Sequence, residues 1–232
     1  MTATVDARQT YATWHKAPEN EAQMGAAHAP YWRHLINLIT ETDLSDKTVF
    51  DFGCNRGGFL RLLHDLRPFR QGVGVDIARE SIEVAKSLRG TLPIDYAVAT
   101  DLTPWADQID VAFSYEVMYL LPDLAHHAAE LYRVLGEGGV YYAVIGCHTD
   151  CHLWPLWRTV IADTSNAPVQ DYAPEDYLEA FVAQGFSVSV RKFGFDEFVP
   201  ITPGSRYYPK IIDAVVYPAD DKLVFRIVKP RR

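Results

Sequence analysis

Residues 48–58 read TVFDFGCNRGG, and the order of residue types along them decides the fold. An apolar strand ends in Asp51, enters a turn with Gly53, Gly57 and Gly58, and gives way to the helical pattern FLRLLHDL. Strand, glycine turn and helix in that order build a nucleotide-type pocket at the carboxyl end of a parallel strand. Glycine there lets backbone approach a ligand where a Cβ would intrude. The dinucleotide fingerprint G-x-G-x-x-G would fall on Gly53, Asn55 and Gly58, so its middle glycine, the one that admits a pyrophosphate, is missing. The turn suits a cofactor with an adenosine half and no phosphate.

Working outward, QGVGVDI (71–77) is a second buried strand ending in Asp76, and Ile94–Ala99 a third, followed by Asp101. Ile109–Ser114 and VYYAVIG (140–146) are a fourth and fifth. Helical patterns over 58–66, 81–88 and DLAHHAAELYRVLGEGG separate them. Such alternation predicts parallel βαβ units with right-handed crossovers. Upstream, YWRHLINLITE spaces Trp32, Leu35, Ile36 and Ile39 as one helix face. Residues 147–174 show little periodicity. Pro174 opens a further helix, FSVSVRKF is a sixth strand, and an aromatic connection (194–221) leads to a last strand, 223–228. The expectation is one domain over 1–232: a helical amino-terminal lid (1–40), a cofactor-binding half (45–146) and a substrate-side half (147–232) with 194–221 as its insertion.

Asp51, Asp76 and Asp101 fall at the ends of successive strands, which line one crevice in an open parallel sheet. Asp76 follows Gly58 by close to the ~20 residues expected of a carboxylate accepting both ribose hydroxyls. A carboxylate suits that task because it is acceptor-only and takes two donors. Asp101, one strand further out, could accept from an adenine amine. Each acid alone reads equally well as a turn former or helix cap. Together with the glycine turn they form a constellation.

On these residues the chain resembles the class I S-adenosylmethionine-dependent methyltransferase family. The matching stretches are VFDFGCNRGGFL, GVGVDIARESIEVAK, VATDLTPW, IDVAFSYEVMYLLPD and LYRVLGEGGVYYAVIG, in the family's order over about residues 45–146. Asn55 and Arg56 depart from the small residues more usual there. The resemblance implies a Rossmann-like, mostly parallel sheet of seven strands with helices on both faces and the last strand antiparallel. It implies S-adenosyl-L-methionine as cofactor and S-adenosyl-L-homocysteine as product. Asp51, Gly53 and Cys54, with Asn55 and Gly57 of the same turn, would hold the methionine part; Asp76, with Ile77 beside it, the ribose; Asp101 and Leu102 the adenine. Ser114 and Tyr115 would pass near the sulfonium, and Tyr11 and Trp14 would belong to a lid. Cys54 between tight glycines reads as packing rather than as a nucleophile.

The acceptor should be chosen by the aromatic segments 1–30, 115–122, 147–173 and 194–221, whose rings suit a small organic molecule. His148 and His152, in a loop after the fifth strand, and Glu116 are candidate general bases. The stretch CHTDCH (147–152) packs its potential ligands too closely for the separated pairs of a tetrahedral zinc site, so no metal is expected. His126 and His127 read as solvated, and Tyr207–Tyr208 as part of a substrate cap or a dimer contact.

Composition bounds the rest. With 48% hydrophobic and 22% charged residues, the 232-residue chain can build a sizeable core. A net charge of -8 argues against a broad nucleic-acid surface, and the basic tail Lys229, Arg231, Arg232 reads as a solvated terminus. No run approaches the roughly 18 apolar residues of a membrane span, and no signal-peptide pattern opens the chain. Three cysteines without paired spacing suggest a reducing, cytoplasmic setting. The expected protein is thus a monomeric or homodimeric methyltransferase acting on a small molecule, at oxygen or nitrogen ahead of carbon. Its rivals are an aminopropyl transferase, a non-catalytic cofactor-binding relative, and an NAD-dependent oxidoreductase.

Overall fold

The computed structural model describes residues 10–201 and 203–231, so the first nine residues of the expected lid and Arg232 lie outside it. Seven strands, β1 (Leu44–Phe52), β2 (Phe69–Asp76), β3 (Ile94–Val98), β4 (Ile109–Tyr115), β5 (Leu135–Ile145), β6 (Ser187–Lys192) and β7 (Leu223–Val228), form one sheet in the order β3-β2-β1-β4-β5-β7-β6. The first five are parallel, and β7 enters antiparallel between β5 and β6. The expected Rossmann-like sheet is present.

Alternation along the strands sorts side chains onto two faces. Val49, Val111, Phe113, Val140 and Tyr142 join one apolar cluster, where α2 (Gly58–Leu66) contributes Phe59, Leu60 and Leu63 and α3 (Arg79–Leu88) contributes Ile82 and Ala85. Phe50, Ala112, Tyr141, Ala143 and Ile145 join the other, beneath α4 (Leu124–Val134) and α6 (Pro174–Ala183). A third cluster forms beyond the end of β5 from Tyr119, Cys147, Cys151, Trp154, Trp157 and Tyr217.

Three elements differ from the sequence reading. Helix α1 (Glu19–Leu38) begins well before Pro30 and runs through it, because its face packs on α2 through Trp32 and Phe59 and outweighs one missing N–H. Helix α5 (Trp154–Thr164) lies within the stretch read as aperiodic; it buries Trp154, Trp157 and Ile161 at helical spacing. Strand β5 begins at Leu135, so the glycines at the end of the stretch DLAHHAAELYRVLGEGG lie inside an irregular strand start rather than with the helix. Within 194–221 the chain makes α7 (Ile211–Val216) and a turn of π-helix, Tyr217–Asp221.

Candidate active site

The strand order reverses between β1 and β4, and a cavity of about 1120 Å³ opens at the carboxyl ends of those strands. Asp51, Phe52 and Gly53 from the end of β1, Cys54 to Arg56 from the turn, Asp76 to Ala78 from β2, and Tyr115 to Val117 from β4 line it. The turn is held by the N–H groups of Gly53 and Cys54, which donate to the Val75 carbonyl at 2.9 and 3.0 Å. Gly53 and Gly57 have positive φ of 78° and 69°. The space a Cβ would take at these glycines belongs to protein side chains: Val117 at Gly53, Tyr96 at Gly57, and Trp32 at Gly58, 2.8 Å away. The glycines therefore admit neighbouring side chains; Gly53 and Gly58 also line the cavity and Gly57 does not.

Two acids stand at the centre. The Asp76 carboxylate accepts the N–H of Asn55 and of Ala78, both at 2.8 Å, and keeps lone pairs for a ligand. Burial raises its pKa, against those N–H groups. Asp51 is only 4% exposed, and no hydrogen-bond donor reaches its carboxyl among the described residues. Burial, and then the neighbouring Asp76 charge, push it up to about 8. An unpartnered buried acid beside a carboxylate that offers two acceptor oxygens fits a ligand with a cationic end and a diol. S-adenosylmethionine has both.

The amino-terminal segment closes one side. Tyr11 bridges to Ala78, donating its N–H to the Ile77 carbonyl at 3.1 Å, and His15 bridges to Ser165. Buried Glu21 fastens the segment: its carboxylate accepts the N–H of Trp14 and His15 at 2.7 and 3.1 Å and the Ser81 hydroxyl at 2.6 Å. Tyr11 and Trp14 both line the cavity.

The third strand-end acid behaves differently. Asp101 does not line the cavity; its side chain is 68% exposed, accepts the Thr103 N–H at 2.9 Å and pairs with Arg133. Leu102 does line it, with its N–H donating to Glu130 at 3.2 Å. His127, read as solvated, is buried against Phe52, Tyr141 and Phe181, and burial lowers it to about 3. The helical phase of α4, which puts Leu124, His127, Ala128 and Leu131 on one face, could have revealed it. Ser114 is a core residue too, bonded to the Tyr141 hydroxyl at 2.5 Å.

Elsewhere on the cavity wall, Glu116 and Lys222 form an enclosed ion pair at 2.9 Å, their side chains 11% and 5% exposed. Lys222 also donates to the Tyr115 hydroxyl at 2.7 Å and sits over the rings of Tyr31, Tyr115, Phe193 and Tyr217. Glu116 further accepts the Tyr217 hydroxyl at 2.8 Å and the Gly146 N–H at 3.0 Å. Burial alone would raise its carboxyl, but the ammonium and these donors outweigh that and hold it below the usual range. Its positive φ of 56° shows how firmly the network sets this backbone. His28, from α1, lines the cavity beside Tyr115 and Trp32 with no hydrogen-bond partner among the described residues. Burial and the Lys222 charge lower it to about 4, so it is neutral at pH 7. Its chemistry was invisible in an alanine-rich stretch read as polar.

His148 and His152 are not brought to the cavity. His148 is buried and donates from Nε2 to the Asp221 carbonyl at 2.8 Å; His152 is surface-facing and bonded to the Asp221 carboxylate.

Residues 50–143, which contain the turn, both central acids and Glu116, match the family model for the methyltransferase domain. Over those residues the chain is similar to a methyltransferase domain. The trans-aconitate 2-methyltransferase of Azoarcus sp. (strain BH72) is 38% identical over 111 residues, 47% of this chain and 43% of that protein, so the match spans less than half the relative's length. Around this domain the fold extends along nearly the whole chain. A chain of the complex between the Haloferax volcanii Trm112 methyltransferase activator and its methyltransferase superposes with a TM-score of 0.75 at 22% identity, covering 92% of this chain and 95% of that one. The geranyl diphosphate C-methyltransferase of Streptomyces coelicolor A3(2), solved with S-adenosyl-L-homocysteine, superposes with a TM-score of 0.66 at 16% identity, covering 99% and 94%. At these identities both likenesses concern the fold.

Proposed function

We propose that the protein transfers the methyl group of S-adenosylmethionine to an oxygen of a small carboxylate-bearing molecule. The observation that carries the cofactor reading is the unpartnered, buried Asp51 beside Asp76. Asp76 would accept the ribose hydroxyls, Asp51 would face the cationic methionine end, and Tyr11 and Trp14 would cover both. The bound cofactor would supply a methyl group on a sulfonium leaving group. The chain's residues have to align the acceptor and exclude water. A cavity of about 1120 Å³ exceeds the roughly 300–1,000 Å³ of a single-ligand cleft, which leaves room for an acceptor beside the cofactor.

The acceptor class follows from what the groups near Tyr115 can do. Glu116 is neutralised by Lys222, and His28 is held too acidic to keep a proton at pH 7. With weak bases only, the site favours an acceptor atom that is nucleophilic without deprotonation, and a carboxylate oxygen meets that condition. Arg206 also lines the cavity, with no carboxylate partner among the described residues, and could receive the acceptor's charge. The name of the Azoarcus relative, a trans-aconitate methyltransferase, supports the same class.

Calorimetry with S-adenosylmethionine, S-adenosylhomocysteine and NAD tests the cofactor. Binding of the first two alone supports the reading; preference for NAD ends it. Turnover of a panel of carboxylic acids, phenols and amines then tests the acceptor. Methyl esters as products would support the proposal, and exclusive methylation of phenols would overturn the acceptor class.

A further inference from the structure

The segment CHTDCH, crowded when read alone, acquires a donor from far along the chain. Asp221, from the turn before β7, folds onto Cys151 and His152, and one ligand atom from each lies within 4.8 Å of the others. Asp221 Oδ2 is 3.7 Å from Cys151 Sγ and hydrogen-bonded to His152 Nδ1. These atoms lie outside the cavity.

We propose that Cys151, His152 and Asp221 bind a zinc ion, with water as the fourth ligand. A thiolate, an imidazole and a carboxylate suit zinc, whereas magnesium and calcium prefer oxygen alone. His152 is 42% exposed on its side chain, so an ion and its water can enter from solvent. Two further contacts resemble the support that metal ligands usually have. The other His152 nitrogen, Nε2, lies 3.4 Å from Asp213 Oδ1, the outer carboxylate that orients a metal-bound imidazole. The Asp221 backbone is fixed by His148, which donates to its carbonyl. Binding would send the Cys151 thiol proton to solvent.

The site's place in the fold defines its role. Cys151 belongs to the loop after β5, and Asp221 directly precedes Lys222. The ion would cross-link two segments that carry cavity-lining residues, Cys147 on one side and Tyr217 and Lys222 on the other. It holds the acceptor end in shape and takes no part in methyl transfer, so it stands or falls independently of that activity.

Cobalt(II) is the probe. The full chain, stripped with chelator and titrated with cobalt(II), should develop a thiolate-to-cobalt charge-transfer band and tetrahedral visible bands at one equivalent, bleached by zinc. Absence of the charge-transfer band overturns the site. Because His152 is surface-facing, His152→Ala should keep its circular dichroism and bind cobalt at least about 100-fold more weakly; an unchanged titration overturns the assignment. Cys151→Ser should abolish the charge-transfer band, and its persistence would place the metal elsewhere. Asp213→Asn should weaken binding about 10-fold, as loss of an outer carboxylate does.

Discussion

The cavity has two ends built on opposite electrostatic plans. At the end proposed for the cofactor, buried Asp51 stands beside half-buried Asp76 with no cation between them among the described residues, and their pKa values rise. At the end proposed for the acceptor, Glu116 is also enclosed, yet Lys222 and two further donors hold its pKa down. An uncompensated buried acid raises the free energy of the empty protein and waits for a ligand charge. A compensated one holds the architecture together. Burial alone does not distinguish the two; the partners do.

The largest effect should come from breaking the compensated pair. Lys222→Ala leaves Glu116 buried and unpaired, which should cost about 3–5 kcal/mol of stability, or roughly 6–20 °C in Tm for a chain of this size. Adding Glu116→Gln should restore much of that. If Lys222→Ala melts within a degree of the parent, the acceptor end is not built as described.

At the other end the effect should fall on binding. Asp76→Ala should weaken S-adenosylhomocysteine by about 1–3 kcal/mol through loss of the ribose acceptors. Unchanged affinity by calorimetry would remove Asp76 from the site.

Proton linkage sharpens the contrast. Between its unperturbed 3.8 and about 8, folded Asp51 keeps a proton that the unfolded chain has released. The folded state therefore binds more protons, and the apoprotein should lose stability as pH rises through that window. Asp51→Asn should flatten this slope and gain about 1–3 kcal/mol at pH 8. A cofactor bringing a cation to Asp51 should expel its proton, so binding at pH 7 should release a proton that is no longer released at pH 9. Calorimetry in buffers of different ionisation enthalpy reads this, and equal enthalpies would mean that the cation lies elsewhere. The smallest effect belongs to Asp101→Ala: an exposed acid paired with Arg133 should alter cofactor affinity by less than about twofold. A loss matching that of Asp76→Ala would return Asp101 to the site.

The same contrast explains what could be read in advance. Asp51, Gly53 and Asp76 owe their positions to local chemistry, a strand followed by a turn, and sheet topology brings all such strand ends to one edge. The order of types along the chain was therefore enough. Asp101 shared the pattern but turned outward, because Thr103 and Arg133 offered its carboxylate nearer partners. His148 and His152 were singled out for their loop, yet Asp221 draws both away from the cavity. Lys222 carried no local signal at all. It gains its role only when β7 enters antiparallel beside β5 and brings residue 222 onto Glu116.

By itself, the sequence determined the sheet, the glycine turn and the two acids at the strand ends, since these follow from hydrophobic period and from residues adjacent in the chain. Tertiary structure alone decided which acids remain uncompensated and which find a cation, because that depends on distances between segments far apart in sequence, and on the burial that makes each charge costly.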